Sequence, residues 1–298
     1  MTLPSYLDES ILVSGIKTAL AEDVGPGDVT SLATISPDRM ASAVLKAKEA
    51  GVVAGLFVAK KTFRMVGPTL EVEWMMQDGD RVMPGEVIGT ISGNAREILQ
   101  AERVALNYVQ RMSGIATMTQ QMVHLLAGTT TKLLDTRKTA PGLRMLDKWA
   151  VLLGGGSNHR VGLFDMILIK ENHIASAGGI ENALDRAVEA KKNASAPLNI
   201  EIEVTSTEEL NQVLAHGGAD RVMLDNFVRL AKDGSVDTSR LNAALNLIDG
   251  RLETEASGNV TEATLGAIGQ TGVNFVSSGA LTHSVRALDV SLVISIHD

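Results

Sequence analysis

The chain has 298 residues, 45% of them hydrophobic, enough to bury one large α/β domain or a barrel with a smaller companion. With no cysteine it has no disulfide, no Cys-ligated zinc, no iron–sulfur centre and no thiol nucleophile. A formal charge of -8 argues against nonspecific nucleic-acid binding, and no apolar run is long enough to span a bilayer. Asp8 and Glu9 stand where an exported chain carries a basic, apolar leader, so a soluble cytoplasmic protein with no nucleic-acid or membrane partner is expected.

Ile11, Leu12, Ile16, Ala19 and Leu20 share a helical face, which predicts a helix over 8–22, ended by Gly25-Pro26-Gly27-Asp28. From 41 to 93 short β-prone runs at 43–46, 70–75 and 87–91 are punctuated by turns such as Asp78-Gly79-Asp80 and Pro84-Gly85. A compact β-rich domain with a helix near 56–66 is expected there. Residues 95–126 read as a long, mostly helical segment with a break or kink at Ser113-Gly114. Beyond it, β-prone runs at 132–134, 166–169, 200–204, 222–224, 252–256 and 275–276 alternate with helical stretches, the pattern of a parallel sheet. A last run, 287–296, alternates Val290, Leu292 and Ile294 and is placed with the N-terminal domain.

Polar residues favour closing that sheet into a barrel. The runs end in Asp135 and Arg137, Lys170, Glu203, Asp225, Ser257-Gly258 and Ser277-Ser278-Gly279, and the strand ends of a parallel barrel converge on one mouth. Six ends are visible, and a seventh strand is placed near 159–163, which makes the barrel irregular and incomplete.

The chemistry centres on cations. Arg137-Lys138 follows a strand; alone, such a pair is ordinarily a solvated loop. Here Gly154-Gly155-Gly156 delivers His159-Arg160 as a second basic pair, and Lys170 ends the apolar run 166–169. Burying an unpaired ammonium costs several kcal/mol, so something negative should meet Lys170. Arginine offers a bidentate fork and lysine a point charge, a mixture suited to a ligand with several anionic groups. His159 is either a structural hydrogen-bonding residue or a ligand contact. Across from these, Glu201 and Glu203 share one face of a strand, Glu203 nearer the mouth and Glu201 deeper, with Asp225 at the same level as Glu203. Hydroxyl groups or Mg²⁺ suit these carboxylates, the alternative being ion pairs with the cations themselves. Ser257-Gly258-Asn259 and Ser278-Gly279 place small residues between strand and helix, where backbone N–H groups can approach a phosphate. The inferred substrates are a phosphorylated sugar and a small acid.

Three motifs carry a resemblance: Asp135-Thr136-Arg137-Lys138-Thr139, Asn158-His159-Arg160 and Ile169-Lys170-Glu171-Asn172-His173. With them, the chain resembles the quinolinate phosphoribosyltransferases, type II phosphoribosyltransferases of NAD biosynthesis, over nearly its whole length. The resemblance implies an irregular, open, TIM-like seven-stranded α/β barrel catalytic domain at 115–284. It also implies an N-terminal α+β sandwich domain at 1–114, rejoined by 285–298. It assigns Arg137, Lys138, His159, Arg160 and Lys170 to the two carboxylates of quinolinate and the pyrophosphate of phosphoribosyl pyrophosphate. Glu203 and Asp225 would face the ribose hydroxyls and Mg²⁺, with Lys138, Lys170, Glu203 and Asp225 as the catalytic set. Ser257, Gly258, Asn259, Ser278 and Gly279 would hold the 5′-phosphate. Arg103, otherwise a surface helix charge, matches an arginine that enters the partner subunit's site, which implies a homodimer. Asn259 stands where many members carry glycine. No organic cofactor is implied.

Three rivals remain open at this point. A phosphoribosyltransferase for nicotinate or another ring acid would need fewer cations. A barrel lyase or isomerase would use Lys170 as a Schiff-base amine. The spacing of Asp78-Gly79-Asp80 through Pro84-Gly85 is similar to biotinyl or lipoyl carriers, yet no modifiable lysine precedes it, and an ordinary β-turn is the plainer reading.

Overall fold

The computed structural model describes residues 3–296; the two residues at each end, the extremities of the expected ranges 1–114 and 285–298, lie outside the described residues. The chain divides into two compact units, one of residues 1–120, 139–155 and 281–298, the other of 121–138 and 156–280. The segment 139–155, which falls inside the expected barrel range, is thus grouped with the first unit.

In the first unit, the helix Glu9–Val24 starts where the Asp8 carboxylate accepts the Ser10 N–H at 2.7 Å, and Gly25 ends it. A second helix, Val29–Thr34, follows the Gly25-Pro26-Gly27-Asp28 turn, because Asp28 accepts the N–H groups of Thr30 and Ser31, both at 3.1 Å. An antiparallel sheet orders its strands Val290–Ile296, Met40–Ala47, Val87–Asn94 and Glu71–Trp74. The C-terminal run therefore pairs with the first strand, Ala41 opposite Ile296. Ala41, Ala43, Leu45 and Ala47 alternate into a core completed by Leu56 and Phe63 of the helix Leu56–Val66. Asp78 accepts the N–H groups of Leu56 and Phe57 at 2.8 and 3.2 Å, so the Asp78-Gly79-Asp80 turn serves as that helix's cap.

The expected break at Ser113-Gly114 does not occur: one helix runs from Ala95 to Leu125. The two small residues serve packing instead. Ser113 Oγ donates to Ala54 O at 3.1 Å and accepts from Ala54 N at 2.8 Å. A Cβ on Gly114 would collide with the Arg286 carbonyl and lie 3.0 Å from Ala287 Cα. Downstream, buried Asp147 in the helix Arg144–Leu153 receives a two-pronged bond from Arg111, both arms 2.8 Å, and the Ala140 N–H at 3.1 Å.

The second unit contains a parallel sheet of six strands among the described residues, ordered Lys132–Leu134, Phe275–Ser277, Glu253–Ser257, Arg221–Asp225, Ile200–Val204 and Ile167–Ile169. A single parallel bridge, Leu134 to Ser157, adds a seventh position beside Lys132–Leu134. Read around, the order is that of the chain, with one opening between Ser157 and Ile167–Ile169, as in an open, irregular barrel. The seventh position is thus at Ser157 and not at 159–163. Those residues form bends because the Asp165 carboxylate accepts the Val161 and Gly162 N–H groups at 2.6 and 2.9 Å. Strands of such a sheet are ordinarily apolar throughout. Buried Glu201 and Glu255 break that rule and mark where the chemistry sits. No helix among the described residues is long and apolar enough to cross a membrane.

Candidate active site

A cavity of about 350 Å³ opens among the strand ends of the second unit, lined by Arg137, Lys138, His159, Arg160, Lys170 and Ser257 with Thr136, Leu168, Met223, Glu255 and Ser277. Five basic side chains from three separate segments therefore meet in one place. That volume suits a small, highly charged ligand.

The loop after Lys132–Leu134 is held from below. Asp135 is buried, and its carboxylate accepts the His159 N–H at 2.9 Å and the Asn158 amide at 2.6 Å. One acid thus ties the Arg137 segment to the His159-Arg160 segment. Arg137 Nε is buried with no hydrogen-bond partner among the described residues. Burial pulls the Arg160 pKa down, and the nearby charge of Arg137 pulls it further, while Asp165 and Glu201 oppose them. Two guanidinium groups close enough to repel, one with a buried donor unfilled, are an arrangement whose chemistry suits a shared anion.

His159 lies deeper. Its Nε2 is 2.9 Å from Glu201 Oε2 and 3.4 Å from Glu255 Oε2, and its Nδ1 accepts the Arg160 N–H at 2.7 Å. Burial pulls the imidazole down, but the hydrogen bonds and charges of Glu201 and Glu255 outweigh it and push the pKa up to about 9. The Nδ1 contact belongs to the neutral ring. The carboxylates are the stronger influence, because two acids act on the ring through both hydrogen bonds and charge, whereas the peptide N–H is a single neutral donor. Burial likewise pushes Glu201 up. For Glu255, burial acts the same way, but hydrogen bonds to His159 and Ser277 prevail and hold it below the usual carboxylate range. Glu255 is a site residue that the sequence reading misses; its place level with Met223 and Phe275 is fixed only by strand pairing. Among the described residues, His159, Glu201 and Glu255 are also the group of three with ligand atoms near enough to share an ion.

Lys170 caps the helix Glu171–Ala177, and its Nζ pairs with Glu203 Oε2. The expected buried, anion-seeking ammonium is instead 42% exposed, and its negative partner is a side chain of the protein. Glu203 and Asp225 sit at the ends of Ile200–Val204 and Arg221–Asp225, outside the cavity's lining. Both offer hard oxygen donors, which fit Mg²⁺. Being a pair rather than a cage, they suit a cation that brings its other ligands with a substrate.

The late turns behave differently from each other. Gly258 has φ +81°, and a Cβ there would strike Asn226 Oδ1 and stand 2.9 Å from Asn226 N. Asn259 has φ 55°, a left-handed conformation that asparagine tolerates nearly alone among residues with side chains, so the departure from glycine preserves the turn. The Ser278 N–H is already given to Leu134 O at 3.0 Å. Ser277, not Ser278, lines the cavity. Arg103 is exposed on Ala95–Leu125 in the first unit.

Comparisons with known proteins agree with this geometry. A family model described as the quinolinate phosphoribosyl transferase C-terminal domain matches residues 115–293, and one for the N-terminal domain matches 28–113. The chain is 54% identical over 285 residues to a chloroplastic nicotinate-nucleotide pyrophosphorylase (carboxylating) of Arabidopsis thaliana, covering 94% of this chain and 81% of that protein. A probable nicotinate-nucleotide pyrophosphorylase (carboxylating) of Bacillus subtilis is 43% identical over 275 residues, 92% and 90% of the two chains. The solved nicotinate-nucleotide pyrophosphorylase of Francisella tularensis superposes with a TM-score of 0.89 at 38% identity, covering 99% of this chain and 100% of that one.

Proposed function

Because the chain belongs to the quinolinate phosphoribosyl transferase family, we propose that it joins quinolinate to phosphoribosyl pyrophosphate, giving nicotinate mononucleotide, pyrophosphate and CO₂ in NAD biosynthesis. The observation that carries this reading is the unfilled Arg137 donor beside Arg160, a two-armed receptor for a planar dicarboxylate. Lys138 and Lys170 supply point charges for the pyrophosphate.

The ring nitrogen's lone pair forms the bond to the anomeric carbon as the bond to pyrophosphate breaks. Glu203 and Asp225 would face the ribose hydroxyls of the oxocarbenium-like transition state. Mg²⁺ bound with the pyrophosphate would neutralise the leaving group, with Glu203 and Asp225 holding it through the substrate and water. Ribosylation leaves the ring nitrogen cationic, so it stabilises the electron pair that stays on the adjacent ring carbon when the neighbouring carboxylate departs as CO₂; a proton then bonds to that carbon. No organic cofactor is needed. The chain's contribution is position and fixed charge. Ser257, Gly258, Asn259, Ser278 and Gly279 form the 5′-phosphate end of the same site.

The acting form in this reading is a homodimer, each Arg103 completing its partner's site; Arg103 is exposed and unneeded by its own unit's core, which supports the role. An acidic chain without cysteine is read as cytoplasmic. Turnover assays with quinolinate and with nicotinate test the function: quinolinate should yield nucleotide and CO₂, and turnover of nicotinate alone would overturn it.

A further inference from the structure

Two neighbouring strand ends are tied together through Asn226, a side chain with no part in the reaction as described. Asn226 Nδ2 donates to Asp225 Oδ2 at 2.6 Å, and Asn226 Oδ1 accepts from Asn259 Nδ2 at 3.3 Å. The Asn226 N–H donates to Ser257 O at 2.8 Å, while Asn259 Nδ2 also reaches Val228 O at 3.2 Å. Both asparagines have left-handed backbones, φ 60° and 55°, and between them sits Gly258, where Asn226 occupies the space of a Cβ. A left-handed residue with a side chain is uncommon, and two of them bonded across adjacent loops hold each other in place.

We infer that Asn226 is a positioning residue: it orients the Asp225 carboxylate and locks it to the Ser257–Asn259 turn, setting the span between ribose hydroxyls and 5′-phosphate. This rests on the proposed function, which supplies the two ligand groups. The amide has two ends, and each is spent on one side of the sugar phosphate. An isolated carboxylate at a strand end could rotate freely; bonded to Asn226, it presents its other oxygen in one direction. Pyrophosphate titrated without Mg²⁺ meets the cations and not Asp225, so it serves as the control ligand.

The test uses the full chain with glycine at 226, since Asn226→Gly keeps the left-handed backbone while deleting the amide. Binding of ribose 5-phosphate and of inorganic pyrophosphate is measured by titration calorimetry, alongside the melting temperature. Losing a hydrogen bond to a charged group should weaken ribose 5-phosphate by about tenfold, and pyrophosphate by less than about twofold. Asn259→Gly should weaken ribose 5-phosphate in the same direction but less, as it spares the bond to Asp225. Unchanged ribose 5-phosphate affinity in Asn226→Gly overturns the lock, and so does an equal loss for both ligands, which would indicate general damage. A wild-type chain that does not bind ribose 5-phosphate overturns the functional reading and the lock together.

Discussion

His159 Nε2 stands 2.9 Å from Glu201 Oε2 in a part of the barrel where Glu201 is wholly buried, so the ring is anchored by a charge that water does not reach. Anchoring from below explains how a glycine-rich segment can present Arg160 to the cavity in a fixed place.

This relationship sets a pH dependence. The folded pKa of His159, about 9, lies above the unfolded value of 6.5. The sign follows: the imidazolium's contribution to stability is fully present below pH 6.5 and is lost as pH rises through 9. Its full size is about 3 kcal/mol. The melting temperature should therefore fall across that window, and His159→Gln should flatten the fall. Parallel curves for the two proteins in thermal scans would contradict the assignment.

Arg137→Ala should reduce kcat/KM for quinolinate by about a hundredfold, the loss expected when one arm of a desolvated charge pair is removed. Steady-state kinetics at low quinolinate check it. Near-normal turnover there would mean that the unfilled guanidinium is not the dicarboxylate's receptor.

Gly258→Ala should damage the sugar-phosphate end of the site, since the new methyl would strike Asn226 and the φ of +81° disfavours any side chain. An elevated KM for phosphoribosyl pyrophosphate with an unchanged KM for quinolinate is the expected pattern. Equal elevation of both would contradict it.

Gly114→Ala tests the first unit alone. A methyl at 114 meets the Arg286 carbonyl, so the gain in helix propensity is overwhelmed by overpacking, costing about 1–3 kcal/mol. Chemical denaturation should show the loss; a stabilised variant would indicate that the helix and the 286–287 backbone separate easily.

The strands were legible because apolar runs and turn residues alternate cleanly, and all six parallel strands fall where 132–134, 166–169, 200–204, 222–224, 252–256 and 275–276 place them. The cations were legible because charge at the end of an apolar run needs a reason. Ser113-Gly114 misled, since small residues that break an isolated helix also let another backbone approach a packed one. Glu255 stayed hidden for a related reason: Glu253 and Glu255 share one face of Glu253–Ser257, and only the neighbouring strands decide which of the two is covered. Lys170's partner was equally a tertiary fact, fixed by the adjacency of Ile167–Ile169 and Ile200–Val204.

The central claim is a dicarboxylate acceptor that loses the carboxylate beside its ring nitrogen. It is tested most directly with quinolinate labelled in that carboxylate, incubated with phosphoribosyl pyrophosphate and Mg²⁺. Label should leave as CO₂ in step with nucleotide formation, one for one. Nucleotide that retains the label, or nicotinate consumed while quinolinate is untouched, would contradict the account.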